Sequence, residues 1–136
     1  MPGTIAKYRI GYLIDTNIII NILNKNKRDF DLIFSLEKKE ILSISVLTIY
    51  ELFIGIHDEN VKKTARELLK YFKTVDITSD ICEKASEIMK QNKQLEDILG
   101  IVDLLLAATC ILHKLILITE NKKHFKLIPE IEIYEK

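Results

Sequence analysis

"YLIDTNIII", residues 12–20, places one carboxylate, Asp15, between two apolar triplets, Tyr12–Ile14 and Ile18–Ile20. The first triplet ends "YRIGYLI" (8–14), which has the composition of a strand buried on both faces. The second belongs to "TNIIINILNKN" (16–26), which has helical spacing and Thr16 or Asn17 as its expected cap. Asp15 therefore marks the point where a buried strand gives way to a helix. An ionised carboxylate seldom enters such surroundings alone, because its lost hydration must be replaced by a partner.

The rest of the chain repeats the alternation. The apolar spacing predicts helices over 28–39, 46–56, 59–73, 79–95 and 100–114. It predicts strands over 40–45, 74–77, 115–119 and 131–134. Ser79, Asp80 and Glu83 are expected to open the helix over 79–95 as a capping box. Strands that alternate with helices imply an α/β fold whose parallel sheet is covered on both faces. Its strand order is not given by pattern. A length of 136 residues suits one domain, 1–136. A net charge of zero excludes a chain that is basic throughout, so any nucleic-acid surface has to be local. No apolar run approaches the roughly 18 residues of a membrane span, and no signal peptide is read at the N-terminus, so a cytoplasmic location is expected. Cys82 and Cys110 have no metal-ligand spacing and are read as reduced, small apolar residues. Only four glycines occur, none in a phosphate-loop or dinucleotide pattern.

Two further acids share the isolation of Asp15. Glu51 is the only charge in "VLTIYELFIGI" (46–56), and Asp103 is the only charge in "IVDLLLAATCIL" (101–112). Asp15 lies at the carboxyl end of the first strand, the edge where open α/β sheets form their sites. Glu51 and Asp103 stand where they can converge on that edge. Three converging carboxylates repel one another and hold protons more tightly, a conflict that a divalent cation relieves. Oxygen donors without neighbouring His or Cys favour Mg²⁺ or Mn²⁺ and disfavour zinc. Such an ion, with its waters retained, is suited to phosphodiester hydrolysis. Thr16 and Asn17 follow the first acid, and Thr119 and Asn121 end the strand "LILIT" at another such edge.

"LIDTNIII", "LTIYELFIG", "GIVDLLLAATC" and "LILITENKKHF", in this order, resemble the motifs of PIN-domain ribonucleases, and most of all VapC-type toxins of prokaryotic toxin–antitoxin pairs. The likeness runs from about residue 10 to 128. It implies a three-layer α/β/α domain with a central parallel sheet and a Mg²⁺- or Mn²⁺-dependent endoribonuclease activity. Carried over by position, Asp15, Glu51 and Asp103 hold the metal, and Asn121 occupies a fourth catalytic position where the family has Asp or Asn. Thr16, Asn17 and Thr119 match residues that support the site. The likeness also implies an RNA substrate and an antitoxin protein as partner. A homodimer is expected from the surplus of apolar helix surface around "IYELFIGI".

Asn121 adds no negative charge, so one firmly held ion is expected, with a second dependent on RNA phosphate. Glu120 or Asp97 could compensate, but continued strand alternation would turn Glu120 to the opposite face. His124 is read as part of a turn, Phe125 as a core anchor, and His57 and His113 as surface residues. The lysine groups at 25–28 and 122–123 are candidates for contacts with RNA phosphates. A haloacid-dehalogenase-type phosphatase would need an acid where Asn17 stands, and a receiver domain would need paired acids at the first strand. A catalytically inactive RNA-binding or protein-interaction module of the same fold would be marked by loss of one of the three acids, and all three are present.

Overall fold

The computed structural model describes residues 9–135, whose elements alternate as strands and helices. β1 (Gly11–Ile14) leads into α1 (Thr16–Leu23) and α2 (Lys27–Glu37). β2 (Ile41–Ser45) leads into α3 (Val46–Ile54) and α4 (Glu59–Leu69). β3 (Lys73–Val75) is followed by α5 (Ser79–Gln91), a 3₁₀ turn (Lys93–Asp97) and α6 (Ile101–His113). β4 (Ile116–Ile118), the short α7 (Lys122–Phe125) and β5 (Glu132–Ile133) complete the chain.

The five strands form one sheet in the order β3-β2-β1-β4-β5, and every pairing is parallel. β1 is central. Leu13 pairs with Ser43 on one side and Leu117 on the other. Its side chains alternate between two cores, as a strand buried on both faces requires. Tyr12 and Ile14 point into a core built with Ile18, Ile19, Ile33, Leu52 and Ala65 from α1–α4. Leu13 points to the other side, among Ile81, Ile88, Leu106 and Ala107 of α5 and α6, with Leu117 beside it. Helices thus cover both faces, giving the expected three layers.

The order of the strands decides where a site can form. From β1 the chain moves outward through β2 and β3, then returns to place β4 on the other side of β1. The direction of travel reverses between β1 and β4. The crevice at the carboxyl ends of these two strands is the natural binding position of an open parallel sheet. Asp15 and Thr119 are the first residues beyond those two ends. The Asp15 N–H donates to the Ile118 carbonyl at 2.9 Å, so the pairing continues into the crevice.

Several expected boundaries are corrected. Residue 8 of the expected first strand lies outside the described residues, and the strand begins at Gly11. α1 is capped by Asp15 itself rather than by Thr16 or Asn17. It ends at Leu23 instead of running to 26, because Lys25 takes a left-handed φ of 65°. There the N–H groups of Lys25 and Asn26 reach back to the carbonyls of Ile22 and Asn21 and close the helix. α5 is capped by Thr78, whose hydroxyl accepts from the Ile81 N–H, so Ser79 is the first helical residue and the expected box with Glu83 gives way to a single cap bond. That helix stops at Gln91, four residues short, and the 3₁₀ turn takes over. α4 also ends early, at Leu69. The strands are shorter than expected: β2 starts at Ile41, β3 covers 73–75, β4 covers 116–118 and β5 covers only 132–133.

Candidate active site

Asp15 is built into the crevice by its own backbone position. As the N-cap of α1 it turns its side chain over the first turn, and Oδ1 accepts from the Thr16 N–H at 2.7 Å. Oδ2 accepts from the Thr119 hydroxyl at 2.6 Å. Thr119 in turn accepts from the Asn121 N–H at 2.9 Å, which ties the loop after β4 to the carboxylate. Asp15 is 6% exposed and Thr119 3%. Each carboxylate oxygen thus has one donor and retains a free lone pair.

Glu51 reaches the crevice from α3. Ser45 caps that helix through the Leu47 N–H, and Glu51 follows on its half-buried side. Its Oε1 lies 2.7 Å from the Thr16 hydroxyl, which also lies 2.9 Å from the hydroxyl of the fully buried Thr48. Thr16 has one proton, so it donates to the carboxylate and accepts from Thr48. Asp103 enters from the first turn of α6, whose N-cap, Gly100, offers no side chain. Asp103 is half-buried.

Asp15, Thr16, Glu51 and Asp103 line one open cleft of about 690 Å³, together with Asn17, Ile20, Ile54, Glu120 and Asn121. Six of the seven site residues expected from the sequence therefore line one cleft, and the seventh, Thr119, is bonded to Asp15 behind it. The electrostatics follow from the convergence. Burial raises the Asp15 pKa above 3.8; bonds from Thr119 and Thr16 counter this, and the charges of Asp103 and Glu51 add to it. Burial also raises Asp103, with the charge of Glu51 beside it, against the Gly100 backbone N–H and the nearby His124. Among the described residues, none of Asp15, Glu51, Asp103 and Glu120 forms an ion pair with Lys or Arg.

The donor set fits a hard divalent cation. It consists of oxygen atoms, its charges lack a protein counter-ion, and Asn17 Oδ1 is buried with no hydrogen-bond partner. No three His, Cys, Asp or Glu side chains among the described residues close tightly on one point. A cation here would therefore keep several waters, as Mg²⁺ does by preference. Cys110 is buried in the second core and Cys82 is exposed; neither lines the cleft.

Two residues escaped the sequence reading, Thr48 and Asn21. Thr48 lies one helical turn before Glu51, on the same side of α3. Asn21 lies one turn after Asn17 and donates to both Glu120 and Asp29. Glu120 would turn away only if the strand continued; β4 ends at Ile118, so strand alternation no longer applies and Glu120 lines the cleft. Asp97 is exposed and stands outside it. Arg28 and Lys122 line a second hollow of about 920 Å³, which shares Glu120 with the cleft and also touches Thr119. Phe125 is fully buried, as an anchor should be, while His57 and His113 are exposed.

The family model described as PIN domain matches residues 12–131. "Ribonuclease VapC1" of Methanocaldococcus jannaschii is 29% identical over 126 residues, covering 91% of this chain and 87% of that protein. A crystal structure of VapBC2 from Rickettsia felis bound to a promoter DNA fragment superposes with a TM-score of 0.83 at 25% identity, over 92% of this chain and 98% of that one. A toxin–antitoxin complex from Klebsiella pneumoniae superposes with a TM-score of 0.73 at 30% identity, over 92% and 99% of the two chains.

Proposed function

Because this chain belongs to the PIN domain family, we propose that it is a Mg²⁺- or Mn²⁺-dependent endoribonuclease acting as the toxin of a toxin–antitoxin pair. The observation that carries this reading is the cleft itself. Three carboxylates converge at the sheet's reversal point without a Lys or Arg among them to neutralise their charge.

In this reading Asp15, Glu51 and Asp103 hold the ion, and the side-chain oxygens of Asn17 and Asn121 are within the same cleft to hold its waters. A bound divalent cation supplies a nucleophile from coordinated water and stabilises charge on the phosphate oxygens. The chain's own part is to fix the carboxylates in advance. Thr119 and the Thr16 N–H fix both oxygens of Asp15, and the Thr48–Thr16 pair orients Glu51. Such supporting bonds keep ligands from reorganising as the ion binds. Arg28 and Lys122, beyond Glu120, offer positive charge where an RNA strand leaving the cleft would bring a phosphate.

The proposed partner is a separate antitoxin chain, as in the toxin–antitoxin complex from Klebsiella pneumoniae. Beside the cleft, Ile20, Leu23, Ile56 and Val61 line a groove of about 350 Å³ that an apolar segment of such a partner would fill. No helix among the described residues is long and apolar enough to cross a membrane. A cytoplasmic location, where RNA and a cognate antitoxin are both found, belongs to the same proposal.

The test is cleavage of RNA by the purified chain with Mg²⁺ or Mn²⁺, beside Asp15→Asn and Asp103→Asn. Loss of a ligand's supporting contacts alone costs about 10–100-fold, so loss of a ligand should reduce the rate by about 100-fold or more. Metal-independent cleavage, or cleavage unchanged in both variants, would defeat the proposal.

A further inference from the structure

Glu120 is the fourth carboxylate of the cleft, and its placement is specific. It is solvent-exposed, with Lys122 and Lys123 close in sequence, yet it pairs with no cation among the described residues. Instead its Oε2 accepts from Asn21 Nδ2 at 2.9 Å. The same amide nitrogen donates its other proton to Asp29 Oδ2 at 2.8 Å. Asp29 is 4% exposed, and its backbone N–H is fixed by the Asn26 side chain. A buried acid on α2 thus anchors an amide on α1, and the amide holds Glu120 over the cleft. A glutamate free to choose would lean away from Asp15, Glu51 and Asp103, since like charges raise its energy. The neutral amide offers an ordinary hydrogen bond and no charge compensation.

We propose that Glu120 is a further residue of the cation site, supplying the fourth negative charge that Asn121 does not carry. The inference rests on the cation reading of the cleft. The number of charged ligands is a main determinant of affinity for hard cations. A chain with Asn at position 121 recovers the missing charge one residue earlier, because the end of β4 releases Glu120 from strand geometry. Asn21 then acts as a positioning residue that acts only through Glu120.

The experiment is Mn²⁺ binding by the full chain, followed by calorimetry and by electron paramagnetic resonance of free Mn²⁺. Wild type, Glu120→Gln, Asn21→Ala, Asn121→Asp and the Glu120→Gln/Asn121→Asp double variant are compared, with circular dichroism as the check on folding. Glu120→Gln should weaken Mn²⁺ binding about tenfold, Asn21→Ala should weaken it less, and the double variant should recover wild-type binding. The recovery distinguishes a lost ligand from a damaged fold. Wild-type affinity in Glu120→Gln, or failure of Asn121→Asp to restore it, would overturn the proposal. Absence of Mn²⁺ binding by wild type would instead overturn the cation reading on which it rests.

Discussion

Asp15 does two structural things with one carboxylate. It caps α1, and it accepts from the hydroxyl that follows β4. Both bonds favour the ionised form, but burial outweighs them, so Asp15 and Asp103 titrate above the ordinary 3.8. A folded-state pKa above the unfolded one contributes stability below the unfolded value and loses it as pH rises through the folded value. Without divalent ions, wild type should therefore lose stability relative to Asp103→Asn as pH is raised from about 3.8 towards neutrality. Urea midpoints in EDTA at several pH values measure the difference. Saturating Mn²⁺ should reverse its sign, because only wild type keeps the full binding contribution. The three acids were legible because each stood alone in an apolar segment. Thr48 was not: a buried hydroxyl one turn before Glu51 looks like any helical threonine. Glu120 was left open because its direction depends on where β4 stops, which three apolar strand residues and a threonine do not announce.

The elements were legible in kind and order, and less so at their ends. α1 and α6 close on lysines in the left-handed region, Lys25 at φ 65° and Lys114 at φ 55°. Without the glycine that usually occupies this position, the sequence carries no stop signal there. α5 shows the converse ambiguity, since Thr78 and Ser79 can each cap a helix. Thr78 does so with its hydroxyl 3.3 Å from the Ile81 N–H, which seats the fully buried Ile81 at the third helical position. Thr78→Ala should cost about 1 kcal/mol of stability by urea denaturation. Ser79→Ala, outside the cap, should leave the midpoint nearly unchanged.

The whole molecule was legible as a covered parallel sheet but not as an order of strands. β1 and β4 are neighbours at the centre though most of the chain separates them, and nothing in the apolar pattern of either names its partner. What pattern could supply was the polar residue just past each strand, Asp15 and Thr119. Tyr50 and Ile54 of α3 are 65% and 61% exposed, Ile54 also lining the cleft, and Ile101 of α6 is 73% exposed. Tyr50 and Ile54, one turn apart on α3, offer an exposed apolar strip for a second copy of the chain. Light scattering of the purified protein should give the mass of two chains, and Tyr50→Lys with Ile54→Lys should return it to one. A single-chain mass for wild type at micromolar concentration would reject the homodimer.

The Asp15–Thr119 bond joins residues 104 positions apart. During synthesis the first strand leaves the ribosome early, with one of its two flanking positions in the sheet vacant until β4 arrives. The acid at its end lacks one of its two donors until 104 further residues have been added. Loop closure of that length is a late and slow event in folding. A growing chain therefore carries the acids of the proposed site unassembled until β4 has joined the sheet beside β1.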